Sequence, residues 1–283
     1  MSELLLDTLI DCIKMLPILY LAYLLMEYIE QKAGEKLNKK VAKVGAAGPA
    51  LGGILGAVPQ CGFSGAIAGF YAAGIVTLGT LIAVFLSTSD EMIPILLSSN
   101  VNISIILKIL LFKIAGGIIS GFIIDIVLHV FHKSKQTSSE HIHEFCEREH
   151  CDCDENIFIS ALKHTAKVIA LIFIVSLALN LVFYFGGENF LRSIINNTPF
   201  IGEILLGLVG LIPNCSASVL ITNLFVENVI TAGQMITGLM TNAGVGLLVL
   251  FRLNKNIKEN LVITLLLYVF GVILGIITGF LWW

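Results

Sequence analysis

Charge is scarce in this chain. Of its 283 residues only 13% are Asp, Glu, Lys or Arg, while 57% are hydrophobic. Soluble domains carry about 25% charged and roughly 45–50% apolar residues. A water-facing globular surface is therefore excluded, and an integral membrane protein is implied; the mean hydropathy of +0.92 says the same. The charge that is present nearly cancels, at a net −3, which removes the basic face that nucleic-acid binding requires. No G-x-x-x-x-G-K-[S/T] motif occurs, so ATP hydrolysis through a Walker-type loop is not expected. The cysteines do not form a disulfide framework: Cys12, Cys61 and Cys215 stand apart, and Cys146, Cys151 and Cys153 share one polar loop. The beginning of the chain has no basic region and no small-residue cleavage site, so residues 5–29 are expected to be a first membrane helix and not a cleaved signal.

What fills the chain is apolar sequence in runs. A transmembrane helix needs about 20 apolar residues, and runs approaching or exceeding this lie at 5–29, 77–99, 105–131, 157–185, 232–252 and 261–281. Two shorter Gly- and Ala-rich segments, 44–58 and 62–76, flank Pro59; a similar hairpin flanks Pro213. This gives five hydrophobic segments in each half, ten in all. The expected fold is an all-α polytopic membrane protein with Pro-broken helical hairpins. Residues 1–131 form a first membrane repeat, 132–156 a polar loop, and 157–283 a second repeat.

Proline is also scarce, and two of the six carry one motif. Gly56-Ala57-Val58-Pro59-Gln60-Cys61-Gly62-Phe63-Ser64 returns as Gly210-Leu211-Ile212-Pro213-Asn214-Cys215-Ser216-Ala217-Ser218, at an offset of 154 residues (59 to 213). At the same offset Thr77 and Gly79 match Thr231 and Gly233, and the GxxxG pair Gly117/Gly121 matches Gly271/Gly275. GxxxG lets helices approach closely in lipid. Shared apolar residues would be cheap coincidence; shared Pro, Cys and Gly at one offset are not.

An odd number of segments per half inverts the second copy. Lys and Arg favour the cytoplasmic side of a membrane. Lys32, Lys36, Lys39, Lys40 and Lys43 occupy the first linker, Lys133, Lys135 and Arg148 the central loop, and Arg252, Lys255 and Lys258 the last. All three fall on one side if both termini lie outside. The expectation is a multi-pass protein of the inner (plasma) membrane with a cytoplasmic central loop.

Paired helix breaks in two halves point to a transporter's binding site. Gln60 and Asn214 supply amides, Cys61 and Cys215 soft ligands, and Ser64 and Ser218 hydroxyls. The half-helices that follow aim their positive ends at the midplane. The competing reading is a structural kink with Cys as a small apolar filler, but the repeat keeps Pro, amide, thiol and hydroxyl together. Asp90 and Glu91, inside an apolar segment, are candidates for ion coupling because carboxylates there are costly; Asn242 stands near their place in the second copy. The competing reading ends the membrane segment before them. His164 is a candidate proton relay, with an interfacial anchor as the alternative. The central loop carries His141, His143, Cys146, His150, Cys151 and Cys153, a thiolate and imidazole set that suits Zn²⁺ or Cu⁺. Its spacing fits no standard zinc finger, so a flexible sensor or delivery loop is expected; an acidic linker with incidental His and Cys is the alternative.

On these residues the chain resembles the ten-helix heavy-metal exporter family, whose members are labelled arsenic efflux proteins or manganese transporters. Pro59-Gln60-Cys61-Gly62-Phe63-Ser64, Ser87-Thr88-Ser89-Asp90-Glu91, the His/Cys loop, Lys163-His164-Thr165, and Pro213-Asn214-Cys215 with Gly244-Val245-Gly246 carry the resemblance. It implies a secondary transporter exporting a metal or metalloid ion. Such a protein needs no cofactor; its partners are the bilayer and the ion, as substrate or regulator, and a homo-oligomer stays open. The alternatives are a transporter of a small organic or inorganic anion, a membrane metal sensor, and a thiol enzyme. The last is disfavoured because no base neighbours Cys61 or Cys215.

Overall fold

The computed structural model describes residues 47–58, 61–89, 92–130 and 199–281, with single helical positions within 6–24 and 158–177. Among these residues there are helices and no strands. In chain order the helices are α1 (Gly48–Gly56), α2 (Cys61–Ala72), α3 (Leu78–Ser87), α4 (Met92–Ser98) and α5 (Ile103–Val130). They continue as α6 (Pro199–Gly210), α7 (Cys215–Val226), α8 (Ala232–Thr241), α9 (Gly246–Leu253) and α10 (Ile257–Leu281). The starts of α2, α3, α4 and α5 recur as those of α7, α8, α9 and α10, each 154 residues later.

Local chemistry sets these boundaries. Thr77 caps α3 by accepting from Thr80 N at 3.1 Å. Thr231 caps α8 by accepting from Gln234 N at 3.2 Å, and Gln234 Oε1 accepts from Thr231 N at 3.0 Å, a reciprocal capping box. At α3 the second cap comes from another helix: Asp125 on α5 accepts from Thr77 Oγ1 at 2.7 Å and from Gly79 N at 2.8 Å. Helices α2 and α7 end alike. Gly74 and Asn228 adopt left-handed backbone, with φ 74 and 57. Ile75 N bonds Phe70 O at 2.8 Å and Val229 N bonds Leu224 O at 2.9 Å. This is Schellman closure, and Gly and Asn are the residues that enter it cheaply.

Among the described residues, four helical stretches are long and apolar enough to cross a membrane: Leu78–Ser98, Ile103–Val130, Ala232–Leu253 and Ile257–Phe280. They divide into two kinds. The first and third are 75% and 78% buried over their apolar windows, the second and fourth 33% and 28%. Leu78–Ser98 and Ala232–Leu253 therefore form the interior. The continuous helices α5 and α10 stand outside, turning side chains such as Leu111, Ile119 and Ile273 outward. At 28 residues, α5 is about 42 Å long at roughly 1.5 Å per residue, ample for a hydrocarbon core of about 30 Å.

Both interior stretches are interrupted. The first pauses between Ser87 and Met92, where the sequence reading places a polar interruption. The second pauses between Thr241 and Gly246, with Gly244 at φ 52; the sequence reading treated 232–252 as one unbroken segment. Hydropathy is blind to that break because Ala243, Val245 and Leu247 keep the run apolar.

Lipid gives helices little hydrophobic reason to associate, so close packing and hydrogen bonds must hold them. Helix α5 lies on α3 and α10 on α8, with α1 and α6 against the same pairs. The glycines make this possible. A β-carbon on Gly121 would sit 2.5 Å from Gly79 O, and one on Gly275 would sit 2.9 Å from Gly233 O and 1.7 Å from Thr237 Oγ1. The GxxxG pairs thus serve as contact surfaces. The short helices cross over: α2 packs mainly on α9, and α7 on α4 as well as α8. Tyr71 at the end of α2 also donates to Glu259 Oε1 on α10 at 2.6 Å. Phe85 on α3 and Met240 on α8 are fully buried; the Phe85 ring reaches Gly246 of α9, and the Met240 methyl reaches Gly116 of α5.

Candidate functional site

The two interruptions expose backbone that must be satisfied, since unsatisfied polar groups at membrane depth are costly. Hydroxyls do this at the end of α3. Ser87 Oγ donates to Ala83 O at 2.8 Å, Thr88 Oγ1 to Val84 O at 2.7 Å, and Ser89 Oγ to Ser87 O at 3.0 Å. At the end of α8, Thr241 Oγ1 donates to Thr237 O at 3.0 Å, and Asn242 Oδ1 accepts from Gly244 N at 2.7 Å. The polar residues at these breaks therefore have structural work that a kink alone would require.

They also share a space. Thr88, Ser89 and Met92 line a tight crevice with Ser218, Leu239 and Asn242, too narrow as it stands to hold a water molecule. Three of these residues come from the first interruption and three from the second half of the chain. Ser218, in the first turn of α7, donates to Cys215 O at 2.7 Å. Its proton is committed there, so toward a guest the hydroxyl offers lone pairs. Of the expected substrate residues, the structure brings Ser218 and Asn242 into this crevice.

The others are placed as follows. Cys215 opens α7 as a buried thiol. Asn214 precedes it in extended conformation, φ −149 and ψ 146, with Nδ2 donating to Ser216 Oγ at 3.3 Å. Ser64 is fully buried on α2; its carbonyl would lie 2.8 Å from a β-carbon on Gly246, so α2 and α9 meet there. Cys61 is the first residue of α2. Gln60, Asp90, Glu91, His164, His141, His143, Cys146, His150, Cys151 and Cys153 lie outside the described residues. Asp90 and Glu91 connect Ser89 to Met92, both of which line the crevice. Among the described residues no three of His, Cys, Asp and Glu gather as a metal-binding group.

Three residues passed over in the sequence belong with this site or its supports. Lys113, in the middle of α5, is fully buried. Its Nζ donates to Thr88 O and, at 3.1 Å, to Leu239 O. Thr88 is the C-cap of α3, and Leu239 lies in the last turn of α8. Both carbonyls are at helix ends, where the chain carries partial negative charge. One ammonium thus joins the two interruptions directly behind the crevice. Asp125 is the cap of α3 described above. Glu203, on α6, is 9% exposed, and its Oε2 has no hydrogen-bond partner among the described residues. The signal for all three was available: an ionisable residue inside an apolar membrane helix is a functional candidate by default.

A family described as "Putative, 10TM heavy-metal exporter" matches residues 5–188. The chain belongs to this family. The matched region takes in the Pro59 motif, the first interruption, Lys113 and the His/Cys loop. Membership and the apolar helices together make the chain a multi-pass helical membrane protein of a transporter family. Comparison with curated proteins and with solved structures gives no match.

Proposed function

We propose that this member of the exporter family is a secondary transporter that moves a metal or metalloid species outward by alternating access. The observation that carries the reading is the crevice lined from both interrupted stretches. A site shared by two halves is exposed alternately when one half moves against the other. The recurrence of four helix starts at one offset, with an odd number of segments per half and the side preference of Lys and Arg, supports two inverted repeats. On this reading the protein resides in the inner (plasma) membrane, with the His/Cys loop cytoplasmic and both termini outside. Gln60, Cys61, Ser64, Asn214, Cys215, Ser218 and Asn242 bind the substrate. Asp90, Glu91 and His164 couple its movement to an ion gradient. His141, His143, Cys146, His150, Cys151 and Cys153 bind metal as a cytoplasmic sensor or delivery loop.

A second reading, transport of a small organic or inorganic anion, has its own support. The described crevice wall offers hydroxyls, an amide and a thioether, and an ammonium stands behind it. Purified protein in proteoliposomes, assayed for flux of Mn²⁺, Zn²⁺, Cd²⁺, Cu⁺, arsenite and organic anions, decides between the two. Flux of a metal or of arsenite is expected. Flux of organic anions alone transfers the assignment to the second reading, and no flux of any species removes the transporter reading.

A further inference from the structure

Lys113 is more than a brace. Its ammonium lies where the C-terminal ends of α3 and α8 converge, bonded to Thr88 O and Leu239 O. In transporters with interrupted helices, such carbonyl ends are where a coupling cation binds. Here the cation is part of the chain. The wall of the crevice and the seat of the cation share Thr88, whose side chain caps the α3 end and whose carbonyl takes the ammonium. Any movement that opens the crevice by separating Thr88 from Leu239 must therefore break one of the bonds to Nζ.

We propose that Lys113 is a further coupling group of this transporter, a tethered cation whose proton is exchanged once per transport cycle. The inference rests on the transporter reading above. With Nζ protonated, both helix ends are held and the crevice is closed. When water reaches Nζ from the side where substrate loads, the proton passes to that water. The neutral amine holds the two carbonyls more weakly, and the halves part. After release, Nζ takes a proton from water on the opposite side and the bonds re-form. One proton is thus moved counter to each substrate, with no oxidant or other reactant. A lysine suits this role because an ammonium gives up its proton in a protein interior and a guanidinium does not.

Among the described residues, few titratable groups belong to the helices packed on α5. Helices α1, α3, α4 and α8, which pack on α5, carry no Asp, Glu, His, Lys, Arg, Cys or Tyr. Helix α10 reaches α5 through Leu274 at Gly116. Of its titratable groups, Glu259 accepts from Tyr71, Tyr268 donates to Ile204 O, and Lys258 is exposed on the first turn.

The test uses full-length wild type, Lys113→Gln and Lys113→Arg in proteoliposomes with a trapped pH indicator and radiolabelled Mn²⁺ or arsenite as probe. Wild type is expected to accumulate probe when a pH gradient is imposed. Lys113→Gln is expected to retain exchange of probe across the membrane, at a rate that no longer depends on pH. Its gradient-driven accumulation should fall by roughly tenfold or more, within the usual range of coupling between two sites. Lys113→Arg keeps a cation at the carbonyls but not an exchangeable proton, and should lose accumulation equally. Three results overturn the proposal while leaving the transporter reading intact. They are wild-type transport indifferent to the gradient, undiminished accumulation by either variant, and loss of exchange in folded Lys113→Gln. If Lys113→Gln does not fold, Lys113→Arg decides by the same accumulation. Wild type that moves neither probe overturns the transporter reading itself, and the proposal with it.

Discussion

Glycine at a helix contact is a statement about distance. Gly121 on α5 and Gly79 on α3 bring two backbones together so closely that a β-carbon on Gly121 would lie 2.5 Å from Gly79 O. Backbone cannot step aside as a side chain can. Gly121→Val should therefore destabilise the protein by roughly 1–3 kcal/mol or more, the scale of overpacking a well-filled site. Thermal unfolding in detergent measures it, and Gly279→Ala is the control. A β-carbon at Gly279 meets nothing within 4 Å, so that change should be neutral or gain up to about 1 kcal/mol from helix propensity. Equal losses in both variants would mean that the α3–α5 contact is not close. The GxxxG spacing was legible in the sequence because only glycine makes such an approach. Lys113 was equally legible, as one of two lysines amid the apolar residues of α5, but its two carbonyl partners were not. They lie 25 and 126 residues away along the chain, a relation no local pattern carries.

At the scale of elements, the interruptions carry the chemistry. The break after α3 is written in polar residues. The break after α8 is written in backbone geometry, with Gly244 at φ 52, and so escapes a reading based on hydropathy. The Pro59 and Pro213 motifs were legible as sequence, yet the helices beside them do not pair as simply as a hairpin suggests. Helix α2 turns to α9, and α7 to α4. Cys215 begins α7 and Cys61 begins α2, so replacing both by Ser removes the soft ligands while keeping small hydrogen-bonding side chains. On the metal or metalloid reading, Cys61→Ser with Cys215→Ser should abolish flux of thiophilic species such as arsenite or Cd²⁺ in proteoliposomes, because serine is a hard ligand. Retained flux of those species would remove the cysteines from the substrate site. Organic-anion flux surviving alone would favour the second reading.

For the whole molecule the decisive question is orientation. Asn102 and Asn256 occupy matching places before α5 and α10, both exposed and 154 residues apart. Inverted repeats put them on opposite faces of the membrane. In a cysteine-free background, Asn102→Cys and Asn256→Cys should react with a membrane-impermeant maleimide from opposite sides, with Asn256→Cys protected in intact cells. Labelling of both from one side would exclude the inversion. Charge favours the same arrangement: Arg252, Lys255 and Lys258 flank Asn256, and no Lys or Arg flanks Asn102 between residues 99 and 104.

The sequence by itself determined that this chain is a helical membrane protein, where its apolar stretches lie, which glycines face helix contacts, and which family it joins. These follow from composition, run length and motif, all of them local or periodic along the chain. Only the tertiary structure decided that the interrupted stretches are the interior and the continuous helices the exterior, since both kinds are long and apolar enough to cross a membrane. It alone brought Ser218 and Asn242 to one crevice with Thr88 and Ser89, and set Lys113 across the ends of α3 and α8. Those relations depend on helices far apart in sequence packing through glycine contacts, and proximity in space is what a linear pattern does not encode.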